Sequence, residues 1–132
     1  MHFTQGLADF AIYFGMGLGF MVLYVVLYLH ATPHREITLI RGDNLPAAVV
    51  LAGALLGFAL PLASALRTAS GLLDVAAWAF MALAAQLAAY ALVALLLKDF
   101  SKRINRGEMA AAVLAAAIHL GVGLINSAAM SF

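Results

Sequence analysis

Long apolar runs separated by short polar clusters dominate the pattern along the chain. Four runs stand out, approximately Phe10 to Leu29, Ala47 to Leu66, Val75 to Leu97 and Met109 to Met130. A bilayer core about 30 Å thick needs roughly 20 apolar residues in a helix rising about 1.5 Å per residue, so each run is long enough to cross once. In hydrocarbon every backbone amide must be bonded within its own segment or within a closed barrel, and none of the runs alternates as barrel strands do. The pattern therefore predicts an all-α, polytopic membrane protein with four transmembrane helices in a single membrane domain, residues 1–132. The stretch Met1 to Asp9 has no Lys or Arg, and the run behind it is too long for the core of a cleaved signal peptide, so a retained first span is expected.

The pattern is also duplicated. With an offset of 65 residues, Asp9 falls on Asp74, Ala11 on Ala76, Tyr13 on Trp78, Met16 on Met81, Leu18 on Leu83 and Leu27 on Leu92, and Arg41, Gly42 and Asp43 fall on Arg106, Gly107 and Glu108. Dropping one residue near Pro46 gives an offset of 64, which carries Ala47-Ala48-Val49, Leu56-Gly57 and Leu60 onto Ala111-Ala112-Val113, Leu120-Gly121 and Leu124. Two tandem helical-hairpin repeats follow, at about 7–66 and 72–131. Each holds an even number of spans, so the repeats are parallel, related by a pseudo-two-fold axis along the membrane normal.

Charge orients this layout. Arg35 and Arg41 lie in the first connection and Lys98, Lys102, Arg103 and Arg106 in the third, against Arg67 alone in the second. Excess Lys and Arg mark the cytoplasmic face, so both termini are expected to be periplasmic. Asp9 and Asp74 sit where helices are expected to begin and can cap them, with Tyr13 and Trp78 four residues on at the interface. Composition adds exclusions. The chain is 66% hydrophobic and 10% charged with a net charge of +1, which argues against a water-soluble fold and against nucleic acid as a partner. It has no cysteine, which removes thiolate chemistry.

Polar residues inside the spans are the candidates for chemistry. Gln86 and His119 lie near the middle of the third and fourth spans, at similar depth, and Asn126 continues the fourth span outward from His119. A polar group in hydrocarbon needs a partner or water, so these three are expected either to bond helices together or to line a proton or ion path. Gly15, Gly19, Gly53 and Gly57 place small residues four apart for close helix packing, and Pro61 should free the carbonyl of residue 57. His30 and His34 are separated by Thr32-Pro33, which breaks the helix that would align them, so no metal site is expected. The segment Glu36 to Arg41 reads as a short interfacial helix or a solvated loop. No nucleophile motif, phosphate loop or paired intramembrane carboxylates occur, so neither catalytic residues nor a cofactor are expected, and the chain is read as a non-enzyme.

Thr32-Pro33-His34, Glu36, Leu39-Ile40, Gly-Asp-Asn at 42–44, Ala47-Ala48, Gly53, Leu56-Gly57 and Pro61-Leu62 resemble the YjfL-like small bacterial inner-membrane proteins, a family of unassigned biochemical function. Trp78, Gln86-Leu87, Gly107, Ala111-Ala112, Gly123, Asn126, Ala128 and Met130-Ser131 continue the likeness through the second half. The resemblance implies a four-span inner-membrane protein with paired repeats and points to envelope-stress proteins as cytoplasmic partners. The charged loops, with Arg41, Asp43, Asn44, Arg106 and Glu108, would be the docking faces. Small residues on every span favour a non-enzymatic homo-oligomeric subunit embedded in the lipid bilayer. The alternative is a small ion channel or transporter whose path holds Gln86, His119 and Asn126.

Overall fold

Each apolar run becomes a helix in the computed structural model, which describes residues 3–130. The residues Met1 and His2 of the first expected segment, and Ser131 of the family likeness, lie outside that range. In chain order the elements are α1 (Phe3–Ala31), α2 (Glu36–Arg41), α3 (Leu45–Thr68), α4 (Leu72–Leu96), α5 (Phe100–Asn105) and α6 (Met109–Ala129). All four long helices have the length and hydropathy to cross a membrane.

Local chemistry sets the boundaries. Pro33 disfavours the helical conformation at the residue before it, and α1 stops at Ala31. Asn44 caps α3, its side-chain oxygen accepting from the Ala47 amide at 2.9 Å, with Pro46 in the first turn where no amide donor is needed. At the head of α4 the cap position is held by Gly71 with no side-chain cap bond, and Asp74, in the first turn, accepts from the Ser70 amide at 3.0 Å, outside the helix, in place of the expected cap on the helix's own amides. Asp9 also departs from the capping role. It lies inside α1, more than a turn past Phe3, because the helix runs for 29 residues, about 43 Å, and overshoots the apolar run that marked it in the sequence.

The two short helices revise the alignment of the connections. α2 and α5 begin and end 64 residues apart, and so do the bonds that close them: Asp43 N to Ile40 O matches Gly107 N to Ile104 O, and Asn44 N to Leu39 O matches Glu108 N to Arg103 O. Asp43 and Gly107, with φ of 65° and 81°, hold the same left-handed position. Arg41-Gly42-Asp43 therefore corresponds to Asn105-Arg106-Gly107, not to Arg106-Gly107-Glu108. From Arg35 onward the two connections match at 64 residues, where the sequence alignment had kept 65 until Pro46. At this register Glu36 stands where the other connection has Phe100.

The core is built on α3, the most buried span, which packs most extensively against α6. The two helices run in parallel at equal height. Ala116 lies against Gly53, His119 and Gly123 lie against Gly57, and Ser64 Oγ donates to Ser127 O at 3.3 Å. α4 packs on both, while α1 packs mainly on α3 and is the least buried span. Pro61 is buried within α3, and the Gly57 carbonyl it leaves without its helical donor faces Gly123.

Candidate functional site

The three polar residues singled out within the spans meet in the middle of the bundle. Gln86 on α4 is fully buried and donates through Nε2 to the backbone carbonyl of His119 on α6 at 3.2 Å. Asn126, two turns along α6, places Nδ2 3.3 Å from Gln86 Oε1 and 3.2 Å from Ala82 O. Gln86 thus joins α4 to α6 through an amide and a main-chain oxygen. The imidazole of His119 is not part of that bond. It is fully buried, and neither Nδ1 nor Nε2 has a hydrogen-bond partner among the described residues.

What surrounds the imidazole is aromatic and hydroxylated. The Tyr28 ring meets it edge to face at 5.6 Å between centroids and meets Tyr90 at 5.7 Å. Tyr24 lies one turn away on α1, 5.8 Å from Tyr28 and stacked on Phe58 at 4.7 Å. Both tyrosines are fully buried, and like the imidazole their hydroxyls lack partners among the described residues. Sequence reasoning missed Tyr24, Tyr28 and Tyr90, although the one-turn spacing of Phe20, Tyr24 and Tyr28 on α1 already placed three rings on one helix face.

Polar groups continue beyond these rings toward the end of the bundle that carries α2 and α5. His34 Nδ1 lies 2.8 Å from Ser101 Oγ, joining the first connection to the third. Thr32 Oγ1 donates to Glu36 Oε1, and His34 Nε2 lies 3.6 Å from the same oxygen. Burial pushes the Glu36 carboxyl up to about 7, against the opposing pull of its hydrogen bonds from Thr32 and its own amide. Burial also lowers the His34 imidazole below the usual histidine value. Glu108 behaves oppositely, held below the ordinary carboxylate range by hydrogen bonds from Arg103 and Arg106. Asn44 Nδ2 reaches Ile104 O at 3.1 Å, so it ties the two connections together. Arg41 and Asp43 are exposed.

A raised Glu36 makes stability fall as pH rises. Its neutral form is favoured in the fold, so its contribution is whole below the unfolded value of 4.5 and is lost as pH climbs through about 7. Relative to Glu36→Gln, the wild type should lose about 3 kcal/mol between acid and pH 8, read as the displacement of detergent unfolding curves. His34, with a lowered value, acts in the other direction and only on the acid side, and it is common to both proteins.

The glycines divide into two groups. A β-carbon on Gly53 or Gly57 would collide with α6, whereas one on Gly15 or Gly19 would meet no atom of the described residues within 4 Å. Gly123, absent from the expected packing set, makes the closest approach of all to α3. Gly121, the residue aligned with Gly57, faces open space.

Comparisons with known proteins bear on the whole chain. The family described as Domain of Unknown Function (DUF350) matches residues 1–130. The UPF0719 inner membrane protein YjfL of Escherichia coli strain K12 is 33% identical over 132 residues, 100% of both chains, and so is the protein of that name from Escherichia coli O157:H7. No solved structure matches the chain.

Proposed function

The chain belongs to the DUF350 family, whose function is unknown, and from that premise we propose that it is a non-enzymatic inner-membrane protein that conducts protons through its buried polar column. The observation that carries this reading is the His119 imidazole, fully desolvated within a span and with both ring nitrogens unbonded among the described residues. An unpaired polar group buried in a low-dielectric interior costs roughly 1–3 kcal/mol, which a purely structural apolar side chain would avoid.

Polar side chains stand on both sides of the His119 ring. Gln86, bonded to the His119 backbone carbonyl, and Asn126 lie on one side, with Ser64, Ser127 and Thr68 toward that end of the bundle; on the other Tyr28 packs ring to ring against His119 and is itself in ring contact with Tyr24 and Tyr90. Imidazole and phenol exchange protons readily, whereas hard cations prefer shells of carboxylate and carbonyl oxygen. A proton taken up on one ring nitrogen and released from the other returns His119 to its neutral form with the tautomer changed.

The column sits in a duplicated frame of two parallel hairpins. Support comes from the recurrence of the connection bonds at 64 residues and from buried pairs 65 apart, Gly17 with Ala82, Tyr24 with Ala89 and Tyr28 with Val93. The excess of six basic residues against one supports a cytoplasmic side for α2 and α5, with both termini periplasmic.

The test is proton uptake by proteoliposomes with an internal pH dye, driven by an imposed membrane potential. Acidification should exceed that of protein-free vesicles, and equal rates would overturn the proposal. A second reading, a homo-oligomer assembled through α1, is favoured by Gly15 and Gly19. They leave a smooth, unfilled face on the least buried span, where a second backbone gains contacts that side-chain-free positions otherwise forgo. Native mass measurement in mild detergent should show multiples of the chain, and a monomer at every concentration would remove that reading.

A further inference from the structure

Glu36 opens a six-residue helix at the bundle end, yet it is 1% exposed. Its counterpart 64 residues on, Phe100, is 4% exposed, so the two connections fill the same core position with a phenyl ring in one case and a carboxyl in the other. Apolar filling is thus compatible with the local fold. Burying a carboxylate in its place costs several kcal/mol unless it is paired or protonated.

The surroundings of Glu36 do not supply a strong cationic pair. Thr32 donates to Oε1, His34 Nε2 stands 3.6 Å from that oxygen, and Oε2 has no hydrogen-bond partner among the described residues. From α1, Tyr24 and Tyr28, and from α4, Tyr90, lie close enough to feel its charge, while α5 contributes Ser101 through its bond to His34. Two open clefts flank the pair. One, of about 230 Å³, is lined by Thr32, His34 and Glu36, and the other, of about 450 Å³, by His34, Tyr90 and Ser101. Pro33 and His34 line both clefts. The carboxyl therefore stands between water and the buried tyrosines.

We infer that Glu36 is a proton-binding site at the α2 and α5 end of the bundle, exchanging with solvent beside His34 and handing protons to the tyrosines that lead to His119. The uptake step forms an O–H bond on the carboxylate and leaves it neutral. In the handover the Glu36 O–H bond breaks and the carboxylate is restored, each tyrosine hydroxyl accepts one proton as it releases its own, and a ring nitrogen of His119 takes the last. The destination of the proton rests on the conducting reading above; occupation of the site does not.

The chain has two glutamates, Glu36 and Glu108, so ¹³C-glutamate labelling isolates their carboxyl vibrations from those of the aspartates. In Glu108→Gln the label reports Glu36 alone. Infrared titration of that protein in nanodiscs should show a carboxylic-acid band disappearing between about pH 5 and pH 8, and the band should be missing from Glu36→Gln. A carboxylate already ionised at about pH 5 would overturn the inference. So would a midpoint that moves when sodium replaces choline, since that identifies a cation site. In proteoliposomes Glu36→Gln should slow proton flux by about tenfold or more, with the protein still eluting as the wild type does. A titrating band in a protein that carries no flux at all would uphold the proton site and sink the conducting role. Unchanged flux in Glu36→Gln beside an active wild type would overturn the handover.

Discussion

Gly123→Leu should abolish assembly of the four-helix bundle, and Gly123→Ala alone should weaken it by about 1–3 kcal/mol. A β-carbon at Gly123 lands on the Gly57 carbonyl and comes within 2.8 Å of the Gly57 Cα. The atoms it meets belong to the backbone, so no side chain can rotate away, and α3 and α6 must separate along the contact that holds the core together. A β-carbon at Gly57 would fall 2.9 Å from the His119 carbonyl carbon, and one at Gly53 2.6 Å from the Ala116 Cα. Without a hydrophobic drive between helices in lipid, close backbone packing of this kind supplies much of the association energy. Gly15→Ala, Gly19→Ala and Gly121→Ala provide the contrast, because each new methyl enters open space and helix propensity favours alanine. SDS-titration curves for the five variants should separate into two groups.

His119→Leu should stop proton flux while leaving the bundle at least as stable as the wild type. The imidazole nitrogens make no hydrogen bond among the described residues, and the Gln86 bond runs to the His119 backbone carbonyl, which leucine keeps. Replacing an orphaned buried polar ring by an apolar side chain removes a desolvation penalty of roughly 1–3 kcal/mol, partly offset by the lost ring contact with Tyr28. A gain in unfolding midpoint together with loss of flux separates a functional imidazole from a structural one. Loss of folding in this variant would assign His119 to the architecture instead.

The spans were legible in the sequence because membrane hydropathy is a strong, one-dimensional signal, and the meeting of Gln86, His119 and Asn126 was legible because polar residues in such runs are few. Three features escaped. Tyr24 and Tyr28 were not singled out at all, since nothing local marks a hydroxyl that faces inward. Gly123 was hidden because the repeat alignment pairs Gly57 with Gly121. Two parallel helices at equal height instead seat Gly57 between His119 and Gly123, one helical turn apart. Glu36 looked like part of an amphipathic surface segment. Its burial follows from how α2 folds under the ends of the long helices, and the sequence hint, alignment with Phe100, emerges only when the connections are placed at 64 residues in place of 65.

The close pairing of α3 with α6 has a consequence for biosynthesis. The acceptor of the Gln86 amide, the His119 carbonyl, and its Asn126 partner both lie on the final helix, as do Gly123 and Ala116, which seat the central glycines. A nascent chain with three helices already inserted therefore has a glutamine without these partners in lipid and a central glycine groove still unfilled. Only when translation delivers the last helix are that donor satisfied and that groove closed.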